Sequence, residues 1–238
     1  MAKSPTFGEA LRLRREAAAK WAEFGEWTRA RQSPRWVFRG QRQRWALRPN
    51  VGRIGHYRPE TEIRLLRDFK RLALPFVDRH IVATEWDWLF LAQHHGLPTR
   101  LLDWTTNPLV AAYFACQACV REKDGEILAV EPRLIGYFRP DDPKELGPFE
   151  IGQKRFAYPS ALATRIASQR GLFSVHPEPT SAWRVRHRSD RFVIPGRIKP
   201  EFQRYLFGLG VDAALLMADL DGLAETLRWR YERSLPFD

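Results

Sequence analysis

Residues 84–119, beginning TEWDWLFLAQHHGLPTRLLDWTTNPLVAAYFAC, constrain this chain more than any other stretch. Polar groups crowd there between two apolar helical patterns. Thr84 and Asp87 have the spacing of a capping box, in which each side chain takes the other's backbone N–H, and the apolar run 86–92 follows. Gly96 stands where a helix stops, and Pro98 blocks its continuation. Residues 99–105 are short and bounded and read as a buried strand. Asn107-Pro108 predicts an N-cap followed by proline at the first helical position, opening an apolar helix over 109–119.

Alternate side chains of a strand share a face. Thr99, Leu101, Asp103 and Thr105 are therefore expected to point one way, and Arg100, Leu102 and Trp104 the other. His94 and His95 end the preceding helix and return towards this strand through a two-residue turn. An acid, two hydroxyls, an arginine and two histidines converging on an apolar frame are the makings of a polar site. A buried structural pair between Arg100 and Asp103 is the other reading of the same residues.

The rest of the chain supplies the frame. Residues 7–29 read as an amphipathic helix, stopped by Ser33-Pro34. RWVFRGQ over 35–41 is an aromatic, β-branched strand in which Val37, Arg39 and Gln41 share a face opposite Phe38. Gly40 permits close approach of backbone or ligand. An arginine in mid-strand needs an anionic partner, and a guanidinium favours carboxylate or phosphate. A helix is expected over 60–69, and strands over 125–130, 172–175 and 191–194. Residues 133–158, rich in Pro, Gly and Phe, are expected to form a long surface excursion or lid. Pro200 opens a helix to Leu209, and Gly210 stops it. Asp219 starts a last helix with Leu220, Leu223, Ala224 and Leu227 on one face. The fold class is α/β of the α+β type: a central, mainly antiparallel or mixed sheet with surrounding helices. Residues 1–30 are expected as a helical extension and 31–238 as one globular domain.

Composition narrows the function classes. The formal net charge is +11 over 238 residues, supplied mostly by arginine. That suits a polyanionic partner, nucleic acid or a phosphate-bearing ligand, and equally a genome rich in Arg codons. Two basic stretches could follow a nucleic-acid backbone: Arg44, Trp45 and Arg48 in the loop after the first strand, and Arg184, Arg186 and Arg188 near Trp183, the tryptophans serving as stacking platforms. A solvated loop and an edge strand explain them as well. No run of 18 apolar residues exists, so no membrane partner is expected. Cys116 and Cys119 read as core thiols of a reducing compartment, which makes the expected location cytoplasmic. Neighbouring helical residues such as His94 and His95 diverge by about 100°, so no metal is expected there.

FRGQ at 38–41 resembles the naming motif of the FRG-domain family. LAQHHGLPTRLLDWTTNPLVAAYFA at 91–115 is similar to that family's longest shared block, RIASQRGLF at 165–173 to its third, and DLDGLA at 219–224 to its closing one. The resemblance spans about 35–229. It implies an arrangement like that of ADP-ribosyltransferases, with an NAD-binding cleft between the FRGQ and PTRLLDW strands. On that likeness Arg39, with Gly40 and Gln41, takes the first NAD-contacting position. Asp103 and Thr105, followed by AAYFA at 111–115, take the second block, and Gln169 the third. His95, Thr99 and Arg100 line the cofactor side.

Gln169 departs from the pattern, because an amide cannot supply the charge of a carboxylate. Either Asp103 provides that charge or the pocket only binds. The implied function is NAD-using ADP-ribosyl transfer or NAD glycohydrolysis, as in a toxin or phage-defence effector, with NAD as substrate and a protein partner such as an antitoxin. The alternative is a non-catalytic module for a nucleotide or nucleic acid.

Overall fold

The computed structural model describes residues 6–33, 35–77, 82–117, 123–140, 142, 146–159, 168–185 and 189–235. In chain order the helices are α1 (Phe7–Arg29), α2 (Pro59–Ala73), α3 (Glu85–His94), α4 (Pro108–Cys116), α5 (Lys199–Gly208), α6 (Ala213–Met217) and α7 (Leu220–Glu232). The strands are β1 (Val37–Gln41), β2 (Leu101–Thr105), β3 (Gly125–Val130), β4 (Tyr137–Phe138), β5 (Arg155–Ala157), β6 (Gly171–Val175) and β7 (Ser189–Ile194). The chain is mixed α/β, as its patterning predicts. It divides into two compact units, one of Met1–Trp45, Thr105–Val130 and Arg188–Asp238, the other of Ala46–Trp104 and Glu131–His187. Among the described residues no helix is long and apolar enough to cross a membrane.

In the first unit β3 pairs antiparallel with β1 on one side and β7 on the other. Residues directly opposite in such a ladder share a face. Phe38, Ile127, Ala129, Phe192 and Ile194 accordingly face one way, into a core shared with Ala17 and Phe24 of α1, Ala111 to Ala115 of α4, and Phe202 and Leu206 of α5. Gly40 lies on this face, and its reason is steric. A Cβ there would sit 1.8 Å from the carbonyl oxygen of Ala111, so any side chain would push α4 off the sheet. The helix expected as an N-terminal extension is α1. It opens on a capping box between Thr6 and Glu9 and sinks Phe24 to 2% exposure in this core.

The second unit has strand order β4-β5-β6-β2, with β4 parallel to β5 and β5 antiparallel to β6. Its α3 is a short helix that buries six of its ten residues. The predicted capping box is present, with the Asp87 carboxylate accepting the Thr84 N–H at 2.8 Å and the Thr84 hydroxyl accepting the Asp87 N–H at 3.1 Å. Gly96 follows with φ of 81°, the left-handed turn that ends the helix.

The expected surface lid over 133–158 is corrected. It forms β4 and β5 and buries Phe138, Ile151 and Phe156, while Leu146 accepts the Trp86 indole N–H at 3.0 Å. Phe138 and Phe156 have too much apolar area to leave in water, about 2 kcal/mol each. The helix or turn expected over 160–169 lies outside the described residues up to 167, as does Cys119. Cys116 is fully buried.

Candidate functional site

The face of the first unit's strands turned away from α1 and α4 carries polar groups in register. One rung is Arg39, Leu128 and Arg191, and the next is Gln41, Glu126 and Val193. Glu126 is fully buried and Gln41 is 3% exposed. A carboxylate in that position must be paired. Gln41 Nε2 donates to Glu126 Oε1 at 2.9 Å, and Arg191 donates to Oε2 at 3.0 Å. Arg44 stands 4.0 Å from the same oxygen. Its side chain is 63% exposed and that of Arg191 54%, so both guanidiniums keep one side in solvent. Among the described residues this face carries three arginines, counting half-buried Arg39, beside the Glu126 carboxylate.

Gln41 is fixed in orientation. Its amide nitrogen meets two acceptors, Glu126 Oε1 and the Trp45 carbonyl at 3.0 Å, so a flipped amide would set oxygen against oxygen. Its Oε1 is thereby buried and has no hydrogen-bond partner among the described residues. The loop that follows is pinned from below: fully buried Lys199, at the start of α5, donates to the Arg42 carbonyl at 2.6 Å. Arg42 lies over the Trp45 ring at 5.4 Å.

Thr105 sits directly across from Phe38 and so belongs to the helix-covered face, opposite to Arg39. Its hydroxyl accepts the Asn107 N–H at 3.0 Å, and Asn107 caps α4 as predicted. Arg39 and Thr105 are therefore not brought together. Of the two approaches open to Gly40, the α4 backbone takes the space.

The other predicted residues lie in the second unit. The Arg100–Asp103 pair, the other reading of these residues, does not form. Arg100 instead grips Glu62 with two N–H groups, Nε to Oε1 at 3.0 Å and Nη2 to Oε2 at 2.7 Å, both residues being 4% exposed or less. The Phe149 ring covers the guanidinium at 4.5 Å, and the Tyr57 hydroxyl donates to Glu62 Oε2 at 2.9 Å. Burial first, and then the Glu62 charge, push the Tyr57 phenol up to about 12.

Asp103 is exposed, with both oxygens accepting from Gln93 Nε2 at 2.9 and 3.1 Å, and Thr99 donates to Gln93 Oε1 at 2.6 Å. The predicted shared face of Thr99 and Asp103 is thus spanned by one glutamine. His95 is exposed at the end of α3, its ring edge-on to His94. Gln169 is half-buried, next to Arg170 at φ 47°.

Trp183, expected as a stacking platform, packs against Trp104, Phe156 and His176. Arg184 is exposed, and Arg186 and Arg188 lie outside the described residues. Arg48 is half-buried, and its carbonyl accepts from Arg53, whose pKa is lowered first by burial and then by the Arg48 charge.

Sequence reasoning passed over Glu126, Arg191, Gln93 and the buried chain Trp104–Ser174–His176, whose two links are each 2.9 Å. Glu126 carried a readable signal, an acid inside the apolar strand GEILAV. The sequence model of the FRG domain matches residues 34–124. That stretch holds the FRGQ and QHHGLPTRLLDW blocks and stops short of Glu126 and Arg191, and of the blocks at 165–173 and 219–224. No curated protein and no solved structure matches the chain.

Proposed function

We propose that this chain, which carries an FRG domain over residues 34–124, binds a nucleotide bearing a ribose and a diphosphate, NAD foremost, on the β1–β3–β7 face. The observation that carries the reading is Gln41 Oε1, a buried acceptor held in place by its own amide nitrogen and lacking a donor among the described residues. Leaving such a group unsatisfied costs roughly 1–3 kcal/mol, and a ligand hydroxyl or amide N–H removes that cost. Arg39, Arg44 and Arg191 supply positive charge of the kind that phosphate oxygens require.

Glu126, fully buried, is a positioning residue. It holds Gln41 and Arg191 rather than touching the ligand. With NAD as substrate the reaction is ADP-ribosyl transfer. The bond from the ribose carbon to the nicotinamide nitrogen breaks, nicotinamide leaves with the electron pair, and an acceptor oxygen or nitrogen bonds that carbon and releases its proton. Gln41 and the arginines would hold the ADP-ribose half during that exchange.

Calorimetric titration with NAD, ADP-ribose and AMP, together with an assay for released nicotinamide, tests the reading. Saturable binding of NAD and ADP-ribose is expected, weakened about tenfold or more in Arg39→Ala. No binding of any of the three, with NAD left intact, overturns it. Binding of ADP-ribose with NAD left intact keeps the site and removes the transfer. Strongly salt-dependent retention of single-stranded RNA or DNA in place of nucleotides would favour the nucleic-acid alternative.

A further inference from the structure

The first unit holds a cavity on the helix-covered side of its sheet, away from Gln41 and Glu126. About 40 Å³ in volume, it opens between α4, α5, α7 and the turn that leads into α6. Tyr113, Phe207 and Trp229 give it aromatic walls, and Asp212 and Glu225 place two carboxylates in its lining. The Phe207 and Trp229 rings lie 5.1 Å apart between centroids. Packing fixes the wall that α7 supplies. Leu220, Leu223 and Leu227 are exposed, and the helix packs through its other side. There a Cβ on Gly222 would come 2.5 Å from the Ala213 carbonyl oxygen, and Thr226 Oγ1 accepts the Ala214 N–H at 2.9 Å.

The polar groups around the cavity select the charge of its ligand. Two donors are spent inside the chain. The Trp229 indole N–H goes to Gln203 Oε1 at 3.3 Å, and Gln203 Nε2 to the Cys116 carbonyl at 3.1 Å. Acceptors remain. Asp212 caps α6 by taking the Leu215 N–H on Oδ1 at 2.9 Å, and its second oxygen can accept from a ligand. Glu225 is exposed. Arg228, one turn on, donates to Glu232 at 2.8 Å and meets Glu225 as a neighbouring charge. An anion here would face two carboxylates, whereas a cation is drawn by them and by the aromatic faces. The same rings already attract guanidiniums: Arg233 lies over Trp229 at 4.7 Å, and Arg230 lies 5.9 Å from the Phe207 centroid. Neither arginine lines the cavity.

We propose that this cavity binds the ammonium end of an alkyl amine, its N–H groups on Asp212 and Glu225 and its stem leaving along the aromatic walls. A volume a little above the share of one water in the liquid, about 30 Å³, admits such a head and no base or sugar. Calorimetric titration of the full chain at neutral pH with butylammonium, uncharged butan-1-ol and Nα-acetyl-lysine amide tests it. Saturable binding of butylammonium is expected, with butan-1-ol bound at least about tenfold more weakly. Glu225→Gln, an exposed change that keeps the side chain's shape, should weaken the amine several-fold. Adding Asp212→Asn, which keeps the cap, should bring the loss to about tenfold or more. Binding of the lysine amide as well assigns the cavity to a polypeptide lysine, and its exclusion assigns the cavity to a free amine. No binding of butylammonium up to roughly 10 mM overturns the proposal, water then filling the cavity. Equal binding of butan-1-ol overturns it too, as does an amine affinity indifferent to both carboxylate changes.

Discussion

Each unit buries one glutamate against arginine, and the two arrangements differ in what they leave open. Glu62 is closed off. One guanidinium meets it through two bonds, a phenol takes a third, and Arg100 is only 4% exposed beneath Phe149. Glu126 is as deeply buried, but its partners differ. Gln41 and Arg191 give it one bond each, and the Arg191 and Arg44 side chains are more than half exposed. A doubly bonded, covered pair has no valence left for a ligand and acts on the fold. A carboxylate held by the inner ends of solvent-facing arginines leaves their outer ends free to bind. The same residue types thus serve as a fastener in one unit and support the proposed binding surface in the other.

The largest effect that would break this contrast is at the fastener. Arg100→Ala strands a buried carboxylate, and the expected loss of stability is about 3–5 kcal/mol, read from urea unfolding. Arg191→Ala should cost less stability than Arg100→Ala, because Gln41 and Arg44 stay beside the buried Glu126 carboxylate. Its affinity for ADP-ribose should fall about tenfold or more. An Arg191→Ala protein as unstable as Arg100→Ala would erase the distinction. An Arg100→Ala protein that is stable but fails to bind would move the site to the second unit.

Residues whose partners are close in sequence were legible, and residues with distant partners were not. Thr84 and Asp87 satisfy each other across three positions, and Asn107-Pro108 opens α4 by chemistry contained in two residues. The FRGQ strand and its alternation follow from β-branched and aromatic side chains alone. Arg100, by contrast, finds Glu62 at a separation of 38 residues, and Arg191 finds Glu126 at 65. Nothing local marks such pairs. The nearer acid, Asp103, looked like the natural partner for Arg100, but strand alternation sends the two to opposite faces, and Asp103 went to Gln93. Gly40 was read correctly as a place of close approach, while what approaches it, the α4 backbone, depended on the fold. The outward leucines of α7 were legible as a face and not as an exposed one, since periodicity fixes which residues line up and not what lies opposite.

The smallest expected effect separates a two-residue fastener from a three-residue one. The Tyr57 hydroxyl donates to Glu62 Oε2, and its pKa is pushed up to about 12, by burial first and then by the Glu62 charge. The folded state therefore prefers the neutral phenol more than the unfolded chain does, whose tyrosines titrate near 10. That preference contributes its full stability below about pH 10 and is lost as pH rises through about 12. Tyr57→Phe should cost about 1 kcal/mol or less near neutrality, the usual worth of one partly exposed hydrogen bond. The gap between wild type and Tyr57→Phe should then narrow as urea midpoints are taken from about pH 8 to about pH 11, while Arg100→Ala stays far below both. Midpoints that run parallel across that range would mean that the phenol does not share the Glu62 charge. The closed glutamate would then depend on Arg100 alone, as the open one depends on Arg191 and Gln41.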